Sequence, residues 1–212
     1  MKKRIKLSSE KINKHLTALF ADDLHAKRIL SLSNATTGVI TSGAMSIHAI
    51  GNGLSIANGT SRKHSVKQVD RFLGNKQVNV WGLFDSWVKY IIGNRTEIFV
   101  AMDWTEFDQD DQATININLL TNHGRSTPLL WKTVSKSELK GLRNTYEDEL
   151  LMQLHSILPE NIRVTIIADR GFGDHKLFKL LRQKLGFDFI IRFKEGTYVT
   201  DANGVKKMAK DW

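Results

Sequence analysis

Two apolar runs each end on a carboxylate. IFVAMD closes on Asp103 and VTIIAD closes on Asp169. Both runs read as buried strands, and in mixed α/β sheets chemistry gathers at the carboxyl ends of strands, where loops open onto a crevice. If the two strands are parallel neighbours, their ends lie about 5 Å apart and the two carboxylates share one site. Like charges that close repel unless a cation stands between them. A hard divalent ion such as Mg²⁺ or Mn²⁺ takes oxygen ligands and completes its shell with water and substrate phosphate. The pair therefore suits a phosphoryl-transfer metal site held by Asp103 and Asp169. Each aspartate also has a plainer reading. Asp169 suits a turn residue ahead of Gly171, and Asp103 suits the start of an acidic loop with Glu106, Asp108, Asp110 and Asp111.

Other chemistries find little support. The chain has no cysteine, so it has no disulfide framework and no thiolate metal site. None of the 7 histidines sits at zinc-ligand spacing from a second ligand. There is no Gly-x-x-x-x-Gly-Lys phosphate loop and no Gly-x-Ser-x-Gly nucleophile elbow. The acids of the 106–111 loop lack the mid-loop glycine of a calcium site and read as a solvated face.

The elements that must position the aspartates follow from residue periodicity. From Glu97 onward, EIFVAMDW is a strand, and ATININLL and STPLLWKTV pair as a hairpin about Asn122–Arg125. NTYEDELLMQLHSILP is a helix whose acids sit where the helix dipole favours them. IRVTIIADRG is a strand, DHKLFKLLRQKLG a helix between Asp174 and Gly186, and FDFIIRFK a strand running to Lys194. The order is β-β-β-α-β-α-β, an α/β fold with a mixed sheet. The first 95 residues read as helical, with Asp22 and Asp23 opening a second helix and Gly51–Thr60 forming a loop. A short helix carries Val66, Val69 and Phe72 and stops at Gly74, and a longer one runs from Val80 to Ile91. Together they resemble a helix-turn-helix, with Arg62, Lys63, Lys67 and Arg71 on the exposed side of the first helix. Simple bundle packing is the alternative.

The charge distribution points to that same half. The net charge is +9, yet residues 1–95 hold 15 Lys and Arg against 5 Asp and Glu, whereas residues 96–212 hold 16 against 17. A polyanion partner, nucleic acid before membrane, accounts for the excess, since each phosphate neutralised releases a counterion. A basic soluble surface is the other reading. No apolar run reaches the roughly 18 residues of a membrane helix, and the basic start has no apolar stretch behind it. The expectation is a cytoplasmic protein with no membrane association.

With these residues in view, AMDWT at 101–105 and IADRGFGDHKLFKLLRQKLGFDFIIRFK at 167–194 resemble the first and second acidic motifs of DDE transposases of the bacterial IS4-like family. The resemblance is good after Arg95 and loose before it. It implies a ribonuclease-H-like catalytic domain over 96–197, a helical DNA-binding domain over 1–95 and the start of a β-rich insertion over 198–212. It further implies Mg²⁺-dependent cleavage and transfer of DNA strands at the ends of an insertion sequence. Asp103 and Asp169 match the first two acids of the triad; Arg170 suits either a contact to phosphate or a pairing with local carboxylates. Double-stranded DNA, as element ends and target, is the implied partner. Self-association or pairing with an intact copy, in a nucleoid-associated setting, goes with it. The third acid of the family lies in a Tyr-x-x-Arg-x-x-x-Glu-x-x-x-x-x-x-Lys helix, and no such spacing occurs before Trp212. The resemblance thus implies a truncated transposase or one piece of an interrupted gene. An inactive DNA-binding fragment acting as inhibitor is the alternative. A third reading is a ribonuclease-H-like nuclease in which Glu147 serves as an acid.

Overall fold

A computed structural model describes residues 8–192 and 196–212. The chain divides into two compact units, residues up to 87 and residues from 88 onward.

In the first unit the described residues are helical. Helix α1 (Ser9–Phe20) is capped by Ser8, whose hydroxyl accepts from the Lys11 amide. Helices α2 (Ala26–Ser42), α3 (Ile47–Asn58) and α4 (Arg62–Leu73) follow, with Ser46 and Ser61 capping the last two in the same way. Each such cap satisfies an orphan amide and contributes about 1 kcal/mol. One apolar cluster gathers Phe20, Leu24 and Ile29, and a second gathers Ile50, Leu54 and Val69.

Two sequence expectations are corrected here. Residues 51–58 belong to α3 and are not a loop. The glycines there are points of close helix contact. A Cβ added to Gly53 would come within 2.3 Å of the Gly38 carbonyl oxygen, and one added to Gly38 within 2.3 Å of the Ile50 carbonyl oxygen. Close backbone approach, not chain flexibility, is what these glycines provide. Asp22 and Asp23 lie in a turn, and α2 starts at Ala26 behind His25, whose Nδ1 accepts from the Lys27 amide. The expected helix-turn-helix pairing also shifts. Helix α4 packs against α3 across the three-residue turn 59–61, and against α2. Seven residues, 74–80, separate α4 from the next helical turn, and α5 (Phe84–Ile92) is shorter than α4 rather than longer.

The second unit is mixed α/β, built on a five-stranded mixed sheet. Its strands are β1 (Glu97–Phe107), β2 (Gln112–Leu120), β3 (Ser126–Ser135), β4 (Arg163–Ala168) and β5 (Asp188–Ile191), in the spatial order β3-β2-β1-β4-β5. Strand β1 runs antiparallel to β2 and parallel to β4, and β4 runs parallel to β5. Residues 193 and 194 of the expected last strand lie outside the described residues.

Alternation along the strands sets one face of the sheet. Ile98, Val100 and Met102 of β1, Ala113, Ile115, Ile117 and Leu119 of β2, and Val164, Ile166 and Ala168 of β4 are all buried. Their cross-strand register (Met102 opposite Ile117 and Ala168, Val100 opposite Leu119 and Ile166) puts them on one side of the sheet. Helix α6 (Arg143–Ile157) buries Leu150, Leu151, Leu154 and Ile157, and packs against β2 and β3. Each such side chain contributes about 1.5–3 kcal/mol by leaving water. Pro128 sits on β3, an edge strand, beside a register shift in its pairing with β2, the kind of position where a strand tolerates proline. Helix α7 (His175–Lys179) is capped by Asp174 and continues into a π-helical turn, 180–184. Beyond it, β6 (Tyr198–Thr200) and β7 (Lys206–Met208) form a separate antiparallel hairpin.

Candidate active site

The parallel register of β1 and β4 brings the two aspartates together. Their last paired residues are Met102 and Ala168, so Asp103 and Asp169 come next on strands about 4.8 Å apart. Both line one cleft of about 320 Å³, together with Trp104, Glu106, Arg143, Asn144, Glu147, Gly171 and Phe172. Asp103 is not at the tip of its strand, as the sequence had suggested. Strand β1 continues to Phe107 because β2 keeps pairing with it, Asp103 opposite Asn116, after β4 has ended. The cleft opens where β1 loses its parallel neighbour.

Short local bonds fix both carboxylates. Asp169 caps the 3-10 turn Arg170–Phe172, and its Oδ1 accepts from the Gly171 amide at 2.7 Å. A Cβ on residue 171 would stand 2.9 Å from that same oxygen, so glycine leaves room for the carboxylate. Asp103 Oδ1 accepts from the Trp104 amide at 2.9 Å. Each acid thus has one oxygen engaged by backbone. Both residues are exposed, and among the described residues neither forms an ion pair with Lys or Arg.

Glu106, in the same cleft, behaves differently. It pairs with Lys136 at 2.7 Å and with Arg143, and Lys136 also pairs with Asp108. Hydrogen bonds from Lys136 and then Arg143 hold the Glu106 carboxyl below its ordinary value. Asp111 accepts from the Ser135 and Ser137 hydroxyls, which lower its pKa in turn. The acids expected to form a solvated face are therefore partly a structural network: Glu106 lies within β1, and Asp111 takes up the left-handed conformation (φ 48°) just before β2 begins. The charge of Glu106 is compensated by protein cations, whereas among the described residues no such cation pairs with Asp103 or Asp169.

Glu147 is only 8% exposed, and its Oε1 accepts from the Trp104 indole Nε1 at 2.9 Å. Burial raises its pKa, the Trp104 bond partly opposes this, and the nearby Asp148 charge adds to the rise. Asp148 is also raised, by burial and then by Asp174. Helix α6 begins at Arg143 and has no acid in its first turn, so the expected dipole-favoured position of these acids is corrected. Glu147 is held by an indole inside the fold instead. The Arg143 guanidinium lies over the Trp104 ring, 5.1 Å from its centre.

Among the described residues, no group of three or more His, Cys, Asp or Glu side chains converges as a metal-binding set. The donors at Asp103 and Asp169 are hard oxygens, two in number. That suits a cation which keeps water and phosphate as its remaining ligands. Arg170 is exposed in the turn directly after Asp169. In the helical unit, Arg62, Lys63, Lys67 and Arg71 are all exposed on α4.

Trp104, Glu106, Arg143 and Asn144 were not foreseen as parts of the cleft. Trp104 had one signal, its place beside Asp103 in AMDWT. The partners of the others lie 30 or more residues away, as with Arg143 and Glu106 or Asn144 and Asp174, and periodicity carries no trace of such pairs. No helix among the described residues is long and apolar enough to cross a membrane. No protein-family model matches the chain, and no curated protein matches it significantly.

Proposed function

We propose that the chain is a DNA transposase of the IS4-like kind, with residues 96–197 forming a ribonuclease-H-like catalytic domain and the helical residues 1–95 holding DNA. The observation that carries this reading is the pairing of Met102 with Ala168, which makes Asp103 and Asp169 neighbours in one cleft. The succession β-β-β-α-β-α-β and the strand order β3-β2-β1-β4-β5 support it further.

In this reading Asp103 and Asp169 hold Mg²⁺ or Mn²⁺. When bound, the ion supplies Lewis-acid polarisation of a phosphodiester and its attacking water. The chain's own residues do the positioning. The Gly171 and Trp104 amides each fix one carboxylate oxygen. Lys136 and Arg143 keep Glu106 compensated, whereas among the described residues no Lys or Arg pairs with either aspartate. Arg170, exposed in the turn next to Asp169, would contact the phosphate in this reading.

A second reading is favoured by a specific observation. Glu147 is engaged by Trp104, and no third acid converges on the pair among the described residues. A two-acid site binds metal more weakly, so the chain would then act as a DNA-binding fragment that occupies element ends or pairs with an intact copy.

A nicking assay on duplex DNA separates the two. Transposase chemistry predicts nicking that requires Mg²⁺ or Mn²⁺ and is abolished by Asp103→Asn and by Asp169→Asn. Duplex binding without nicking selects the fragment. Nicking that survives Asp169→Asn overturns the assignment of the site.

A further inference from the structure

The helical unit holds a second concave feature. A groove of about 590 Å³ runs between α2 and α4, lined by Arg28 and Ser31 from α2 and by His64, Lys67, Gln68, Arg71, Phe72 and Asn75 from α4 and the residues just past it. We propose that this groove, rather than the whole exposed side of α4, seats the sugar–phosphate backbone of duplex DNA, with Arg28, Lys67 and Arg71 as its phosphate contacts. The inference rests on the DNA-handling reading above and assigns its site.

Three observations carry it. First, residues 64, 67, 68, 71, 72 and 75 recur at three- and four-residue steps, so they form one stripe along the helix. Lys67 and Arg71 stand one turn apart on that stripe, about 6 Å along the axis. Secondly, three cations meet in the groove and its lining contains no carboxylate. The Arg28 guanidinium is held by the side-chain oxygen of Gln77, a contact that orients the group and leaves its charge uncompensated. Thirdly, the remaining lining is mostly neutral hydrogen-bonding groups, which suit phosphate and sugar oxygens.

The lining cations come from two helices, Arg28 from α2 and Lys67 and Arg71 one turn apart on α4. Phe72 is the one large apolar side chain in the lining and is half-buried, so the groove offers nothing to insert into a lipid surface. An extended, rigid polyanion is the ligand that uses this arrangement. The exposed Arg62 and Lys63 stand outside the groove, Arg62 on the far side of the helix from Lys67.

The test is binding of a labelled short duplex to the full chain in EDTA, so that cleavage plays no part, across about 50 to 200 mM salt. The variant Arg28→Gln/Lys67→Gln/Arg71→Gln should bind at least about tenfold more weakly at low salt. Its log–log salt slope should fall by about 2–3, roughly 0.9 for each phosphate that is no longer neutralised. Arg62→Gln should bind like the wild type. The pair Lys67→Gln/Arg71→Gln leaves the Arg28–Gln77 hydrogen bond in place and should show about two-thirds of the slope change. It serves as the readout if thermal melting shows the triple variant misfolded. Equal losses of affinity in the groove variants and in Arg62→Gln overturn the groove assignment while leaving DNA handling intact. A wild-type chain that binds no duplex, or that prefers anionic lipid vesicles to duplex, overturns both.

Discussion

Around the ends of the sheet strands, cations are matched by acids. Lys136 meets Glu106 and Asp108, Arg143 meets Glu106, Arg163 meets Glu97 and Asp188, and Arg182 meets Asp188. In the groove of the helical unit, Lys67 and Arg71 line a surface without a carboxylate, and Arg28 is held by a neutral amide. Residues 1–95 and 96–212 hold 15 and 16 Lys and Arg, so the number of cations does not separate the two halves of the chain. What differs is whether an acid has already used the charge. A paired cation on a surface adds little attraction for a polyanion, whereas an unpaired one is available to a phosphate. The same contrast recurs among the acids of the cleft, where Glu106 is compensated and, among the described residues, Asp103 and Asp169 pair with no Lys or Arg.

The cores differ as well. The sheet unit is filled by large aliphatic side chains, while the α2–α3 contact is made by glycine backbones. The largest expected effect tests this difference. Leu154→Ala should cost the sheet unit about 2–5 kcal/mol through the cavity it leaves. Gly53→Ala, which adds a single methyl, should still cost the helical unit about 1–3 kcal/mol or more, because the added carbon meets the Gly38 carbonyl. Denaturant unfolding of both variants checks this, and a neutral Gly53→Ala would mean that the helices do not approach as described.

A smaller effect sharpens the charge comparison. Glu106→Gln frees Arg143 from its acid, while Lys136 keeps its pairing with Asp108. Duplex binding should then tighten roughly two- to fourfold at low salt, with a slope steeper by up to about 1. No change would mean that pairing does not govern which cations reach DNA.

The smallest effect concerns Glu147, whose pKa is raised by burial above its ordinary 4.5. The folded state therefore holds this proton more tightly than the unfolded state, and the ionised acid is a burden at neutral pH. Glu147→Gln, which keeps an acceptor for the Trp104 indole, should raise the melting temperature at pH 7 slightly. The gain should shrink as pH falls through the window from the raised value down toward 4.5. Glu106 runs the other way: its carboxyl is lowered by Lys136 and Arg143, so the stability it lends is present above 4.5 and lost as pH falls further. Melting curves of wild type and variant across this range distinguish the two signs.

Much of the sheet was legible because its residues alternate or run apolar with a period that only a strand satisfies: Ile115, Ile117 and Leu119 on β2, and Val164 and Ile166 on β4. The two aspartates were legible for the same reason, since each terminates such a run. Helix α3 was not, because Gly51 and Gly53 look like loop residues until the backbone they touch is known. The start of α6 was legible to within a residue, but its acids were misplaced, because Glu147, Asp148 and Glu149 resemble first-turn acids whereas the helix begins four residues before Glu147. The groove between α2 and α4 lay beyond reach for a different reason. Arg28 and Arg71 are far apart in sequence, and only the packing of their helices makes them neighbours.

The central claim is that Asp103 and Asp169 share one cation, and Mn²⁺ binding by the full chain, measured by titration calorimetry or electron spin resonance, tests it most directly. The account predicts one ion per chain, a large loss of affinity in Asp103→Asn and in Asp169→Asn, and little further loss when the two are combined, as expected for groups that act on the same ion. Unchanged Mn²⁺ binding in either single variant, or losses that add as if from two separate ions, would contradict it.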